Sequence, residues 1–152
     1  MNIKRKGFTL IEIVIVLAIT VILTGIMALM NYNSYYTAKA NHIIHDFRSL
    51  RTAASMWHSE NRQTKNNDRR EILNYLNSKS MVNLADSEEN KGGYMLHVSD
   101  NGRIWYVGYE LSNDARIRNR LTAKAGHNKL LGGDKKSQYN NDSQVWVQVL
   151  TL

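Results

Sequence analysis

Hydrophobic residues in this chain follow three rhythms. From Phe8 to Met30 they run almost unbroken, with Glu12 the only charge in the stretch. From Tyr32 to Trp57 they recur at steps of three and four: Tyr32, Tyr36, Ala40, Ile43, Phe47, Leu50, Ala54 and Trp57 mark one face of an amphipathic helix. Lys39, His42, Asp46, Arg48 and Arg51 fall elsewhere on that wheel. After residue 93 the step becomes two, in Tyr94, Leu96 and Val98, in Trp105, Val107 and Tyr109, and in Val145, Val147 and Val149.

These rhythms predict a single helix from about Phe8 to about Glu60, roughly 80 Å long at 1.5 Å per residue. Gly25 is a soft point within it, since glycine costs about 1 kcal/mol relative to alanine in a helix interior. Residues 61–68 are polar and loop-like. Asp68 and Glu71 have capping-box spacing and predict a helix over 69–79, with Ile72, Tyr75 and Leu76 facing inward. Residues 83–93 read as a surface connection. Asn101-Gly102 suits a tight hairpin turn. Ser112 can cap a helix over about 113–125 that ends at Gly126, and 127–143 form a long polar loop. The most economical burial is a three-stranded antiparallel sheet of 94–99, 103–109 and 144–150, packed on the upper half of the long helix.

The 8–30 stretch spans roughly 35 Å as a helix, enough for a bilayer core of about 30 Å. Lys4, Arg5 and Lys6 precede it, so the positive-inside tendency leaves the N-terminus in the cytoplasm and sends the rest outward. A cleaved secretory signal would have a shorter apolar region followed by small residues, and here Asn31, Tyr32 and Asn33 follow. Three parts result: a leader 1–7, a transmembrane or filament-core helix half 8–30, and a head 31–152 built on the second half of the helix. The head's roughly 120 residues suffice for one small core.

The chain has no cysteine, which excludes disulfides, thiol chemistry and Cys-based zinc sites. It has no proline, so no helix has a proline kink. The formal charge is +7, three of it in the leader, and the remainder permits anionic partners without requiring one. Glu12 changes the picture more. A carboxylate in hydrocarbon is expensive, and a plain anchor has no use for it, so it is a functional residue by default.

Lys6-Gly7-Phe8-Thr9-Leu10-Ile11-Glu12 resembles the class III signal of type IV pilins and type II secretion pseudopilins, and the seven-residue leader is short and basic, as in that family. The resemblance implies a pilin-like α+β fold, with a long N-terminal spine helix packed on a small antiparallel sheet. It implies cleavage between Gly7 and Phe8 by a prepilin peptidase at the cytoplasmic side, and N-methylation of Phe8. The subunit would be held in the lipid of the inner or cytoplasmic membrane, then assembled with itself or related subunits on an inner-membrane platform into a pilus or pseudopilus. Many members have a proline near the position of Leu29 and a C-terminal disulfide; this chain has neither. Cleavage would give Phe8 a cationic amine, and a neighbour's Glu12 can pair with it across an axial step. A buried pair of this kind sets register more than it adds net stability. In the precursor an amide stands where the amine would be, so cleavage licenses assembly.

No Gly-x-Ser-x-Gly elbow, phosphate-binding glycine loop or His-Glu-x-x-His occurs, so nothing supports an enzyme. His42, His45 and Asp46 read as helix-surface polarity rather than metal ligands. Arg116, Arg120 and Lys124 form a four-residue-spaced stripe, with Arg118 and Lys129 nearby, that could contact DNA phosphates or a neighbouring subunit, or simply be solvated. In the loop before the last strand, Asp134, Asn140 and Asp142 offer oxygens that calcium favours. Lys135 and Lys136 oppose a cation there, so no cofactor is expected. The reading is a structural filament subunit. Its rivals are a competence or minor pilin whose basic head binds DNA, and a membrane-anchored domain that never polymerises.

Overall fold

A computed structural model describes residues 8–61, 68–86, 93–99, 103–111 and 114–151. Gly7, the polar loop at 62–67, most of the 83–93 connection, the Asn101-Gly102 turn and Ser112 lie outside the described residues, as does the side chain of Tyr32. The chain forms two compact units, one ending at Tyr35 and the other beginning at Tyr36. Helix α1, Leu10–Glu60, belongs to both.

In the first unit α1 is long and apolar enough to cross a membrane, and no residue of its most apolar window is buried by protein. Its hydroxyls are satisfied along the helix. Thr24 Oγ1 donates to the Thr20 carbonyl at 2.7 Å, Ser34 Oγ donates to the Met30 carbonyl at 2.9 Å, and Thr20 donates to the Val16 carbonyl. In hydrocarbon a hydroxyl has no water to turn to, so this back-bonding removes a cost that insertion would otherwise carry.

The second unit is the head. It contains the rest of α1, then α2 (Arg69–Ser80), β1 (Leu84–Asp86), β2 (Tyr94–Ser99), β3 (Ile104–Glu110), α3 (Ala115–Asn128) and β4 (Gln144–Thr151). The sheet order is β1-β2-β3-β4. The predicted three strands pair antiparallel, with Leu96 opposite Val107 and Val107 opposite Val147. The sheet is nevertheless mixed, because β1 pairs parallel to β2. That corrects the reading of 83–93 as connection alone. Asn77 of α2 explains the added strand: its side chain accepts from the Leu84 amide at 2.7 Å and donates to the Leu84 carbonyl at 3.2 Å.

The α1 stripe packs as its spacing predicts. Tyr36, Ala40, Ile43, Phe47, Leu50, Ala54 and Trp57 are all buried, joined by Ile44 and Ala53. They share one core with Ile72, Leu76, Leu96, Trp105, Val107, Val145, Val147 and Val149. Trp57 and Trp105 close its centre, ring centroids 4.9 Å apart. Burying a side chain such as Leu50 or Ile43 contributes about 1.5–3 kcal/mol, an upper figure because the unfolded chain already covers some apolar surface.

Two other expectations need correction. Helix α3 does not stop at Gly126. It runs to Asn128 and closes on Lys129 in the left-handed region, φ 53°, whose amide reaches the Ala125 and Gly126 carbonyls. Asp114 caps its start by accepting from the Arg116 amide at 3.0 Å. The 127–143 segment is not merely a polar loop either. Leu130 and Tyr139 are buried, and Leu131 exchanges two backbone bonds with Trp146 of β4, 2.7 and 2.9 Å. Trp146 in turn lies flat on Gly108 of β3, where a Cβ would come within 2.5 Å of its ring. Only glycine fits beneath that indole.

Candidate functional site

The first turn of α1 holds the charge that the apolar stretch singles out. Glu12 Oε2 accepts from the Thr9 amide at 2.7 Å and from Thr9 Oγ1 at 2.8 Å. Thr9 Oγ1 lies 3.4 Å from the Glu12 amide, which points back at it. This is a reciprocal capping box, Thr-x-x-Glu, at the N-terminus of a helix, and it satisfies amides that would otherwise lack partners. Carboxylates are also favoured there by the helix dipole. Both Thr9 contacts end on Oε2, and among the described residues no bond ends on Oε1. Phe8 stands just outside the cap and is 84% exposed. Helix α1 begins at Leu10 with Thr9 as its cap, so a cut before Phe8 would leave its first turn whole.

Residues 2–28 match the family described as the prokaryotic N-terminal methylation motif. The chain carries a prepilin-type methylation motif. No curated protein and no solved structure matches it. The motif bears out the resemblance drawn from residues 6–12, and the long helix with a small sheet bears out the α+β fold class. A pilin-type motif followed by an apolar helix of membrane-spanning length fits a membrane-anchored, pilin-like protein.

The basic stripe of α3 sits beside α1 within the head. The Arg116 guanidinium lies 4.5 Å from the centre of the Tyr36 ring, and its Nε donates to Asp114 at 3.1 Å. The amide of Arg116 and its side chain together hold the Asp114 carboxyl below the usual range. Lys124 Nζ donates to Asn41 Oδ1 at 2.8 Å. Arg120 is exposed. Two members of the stripe thus help tie α3 to α1, and Arg120 faces solvent.

The loop acids have partners as well. Asp134 accepts from the Lys136 and Ser137 amides, both at 3.0 Å, and from Ser137 Oγ at 2.8 Å. Those bonds lower its pKa, the Lys136 amide first. Asp142 Oδ2 accepts from the Gly133 amide at 3.1 Å. Among the described residues no group of three His, Cys, Asp or Glu side chains is placed to hold a metal.

Asp46 departs from its expected place on the helix surface. It is 8% exposed, and the Tyr94 hydroxyl of β2 donates to it. His42 Nδ1 lies 2.8 Å from it, and His45 Nδ1 3.7 Å. Burial, and then the bond to Asp46, raise the Tyr94 pKa well above the ordinary value. Sequence reasoning missed this pair because residues 46 and 94 meet only in the fold. It missed Thr9 for another reason: Thr9-x-x-Glu12 has the same spacing that located the cap of α2, but the apolar run around it dominates the pattern.

Proposed function

We propose that this protein is a structural subunit of a type IV pilus or type II secretion-like filament. It is made as a precursor, cut between Gly7 and Phe8 by a prepilin peptidase and methylated on the Phe8 amine. Before assembly it is held in the inner or cytoplasmic membrane by residues 8–30, N-terminus inward and head outward. The observation that carries this reading is the geometry at Glu12. Oε2 closes the cap of its own helix, while Oε1 accepts no bond from the described residues. One carboxylate can therefore cap its own α1 and receive the Phe8 ammonium of a neighbouring subunit. In the monomer the cap partly offsets the cost of an acid at membrane depth; in the filament the ammonium completes the compensation.

The leader's place is equally economical. Cleavage before Phe8 creates the cation where the helix begins, without disturbing Thr9 or the first turn. The amide of the precursor lacks that charge, so unprocessed subunits lack the pairing group. The DNA-binding alternative has less support, because the Arg116 guanidinium is paired with Asp114 and lies over the Tyr36 ring. Glu12→Val tests the proposal. Membrane fractionation should show normal insertion, since a polar group is removed from hydrocarbon. Filament yield and subunit crosslinking should collapse. Normal filaments from the variant would refute the pairing role.

A further inference from the structure

Three adjoining cavities of the head run between α1, the C-terminal end of α3 and strand β4. The first, about 500 Å³, is lined by Arg51, Lys129 and the last residues of β4. The second, about 120 Å³, shares Arg51 and Lys129 and adds Arg48 over a floor that includes Ile44, Leu130 and Val147. The third, about 370 Å³, shares Arg48 and adds Lys124. Shared walls make them one groove. Four permanent cations line it, and among the described residues no carboxylate does.

Three of those cations are held by neutral acceptors. An Arg48 terminal nitrogen donates to Asn128 Oδ1 at 2.8 Å, one of Arg51 to the Gln148 carbonyl at 3.1 Å, and Lys124 Nζ to Asn41 Oδ1 at 2.8 Å. Each is positioned without being neutralised. A surface charge set meant only for solubility needs no such anchoring, and a preorganised cation loses less entropy when an anion arrives. The groove also reaches the open edge of the sheet, since β4 is the last strand. Trp146 turns its amide and carbonyl to Leu131 on that edge. By the alternation of a strand, Gln148 is the next residue whose backbone groups turn the same way, and its carbonyl is the one that Arg51 meets.

We propose that this groove binds an extended acidic segment of a partner protein. Carboxylates would meet Arg48, Arg51 and Lys129. The partner's backbone would run along β4 at Gln148. A peptide uses both the charges and the strand edge. A nucleic acid leaves the strand edge unused, and among the described residues the lining has no exposed Phe, Tyr or Trp for a base to stack on: Phe47 is 3% exposed, and the exposed rings are the imidazoles of His45 and His127. The inference rests on the head alone and is independent of the filament reading.

The test uses the full chain in neutral detergent micelles and fluorescently labelled peptides of alternating Glu and Val. Controls are the Lys and Val counterpart, a version with alternate backbone amides N-methylated, and a DNA duplex. The Glu-Val peptide should bind saturably, and more weakly as salt rises. Binding should fall at least about tenfold, near 1.4 kcal/mol or more, in the Arg51→Gln, Lys129→Gln double variant. The Lys-Val peptide should not bind, and N-methylation should weaken binding. If the first variant melts abnormally, Arg48→Gln with Lys124→Gln replaces it, with the same loss expected. Absence of saturable binding, equal binding by a folded double variant, or preference for the duplex would overturn the proposal. So would dimerisation of the chain that the double variant abolishes, which would give the groove to a second copy.

Discussion

Thr9 and Glu12 cap each other at the first turn of α1, with 2.7 and 2.8 Å contacts to a single carboxylate oxygen. The arrangement gives Glu12 an occupation within its own subunit beside the proposed role between subunits. Capping and charge pairing are separable by substitution. Thr9→Val removes the hydroxyl but keeps the acid, and should fray the first turn while leaving assembly reduced rather than abolished. Glu12→Gln keeps an acceptor for the Thr9 amide but removes the charge, and should abolish assembly with the cap intact. Filament yield beside amide exchange at residues 9–12 in micelles would show which is which. Equal loss of filaments in both variants would mean that the cap, not the charge, sets assembly.

Phe47 carries the packing of α1 onto the sheet. It is 3% exposed and meets Tyr94 edge-on, ring centroids 6.0 Å apart. Phe47→Ala should destabilise the head by about 3–5 kcal/mol. For a domain of this size that is a melting shift on the order of 10 °C. The measurement suits a soluble fragment beginning near Tyr32, which should be monomeric and folded, because the compact unit begins at Tyr36. A shift of about a degree would mean that the helix does not use this face.

Alkaline pH should unfold the head through its buried tyrosines. Burial and the bond to Asp46 raise the Tyr94 pKa, and burial pushes Tyr139 up to about 12. In the unfolded chain both titrate near 10. Below about pH 10 both states hold these protons and the full stability is present; above it only the folded state does, so stability falls as pH rises. Urea midpoints should therefore drop above about pH 10, less steeply in Tyr94→Phe. If the tyrosinate absorbance shows every tyrosine ionising together near pH 10 in a folded head, the burial of these two is wrong.

Much of this architecture was legible in the residues because it is periodic. The helical step from Tyr36 to Trp57 and the alternation in β2, β3 and β4 reflect burial on one face, which sequence spacing records directly. Strand β1 has three residues, too few to show a period, and is held by Asn77 from outside itself. The end of α3 was misplaced because Gly126 is a plausible stop, whereas the left-handed residue that closes the helix is Lys129. Leu130 and Tyr139 are isolated apolar residues in polar surroundings, so nothing around them marked them as core. At the candidate site, Glu12 and Phe8 stood out by type and place. Its cap with Thr9 was present in the spacing but masked by the apolar run, and Asp46 was invisible because its partner lies on β2.

The most direct test of the account is the mass of the mature protein, taken from cells with and without a prepilin peptidase. With the peptidase, the chain should begin at Phe8, lack residues 1–7 and carry one added methyl group on its amine. Without it, the leader should remain. Gly7→Leu should retain the leader even when the peptidase is present, because a bulky side chain crowds the cut, while Gly7→Ala should be cut in part. A full-length, unmethylated chain in peptidase-positive cells would contradict the account at its root.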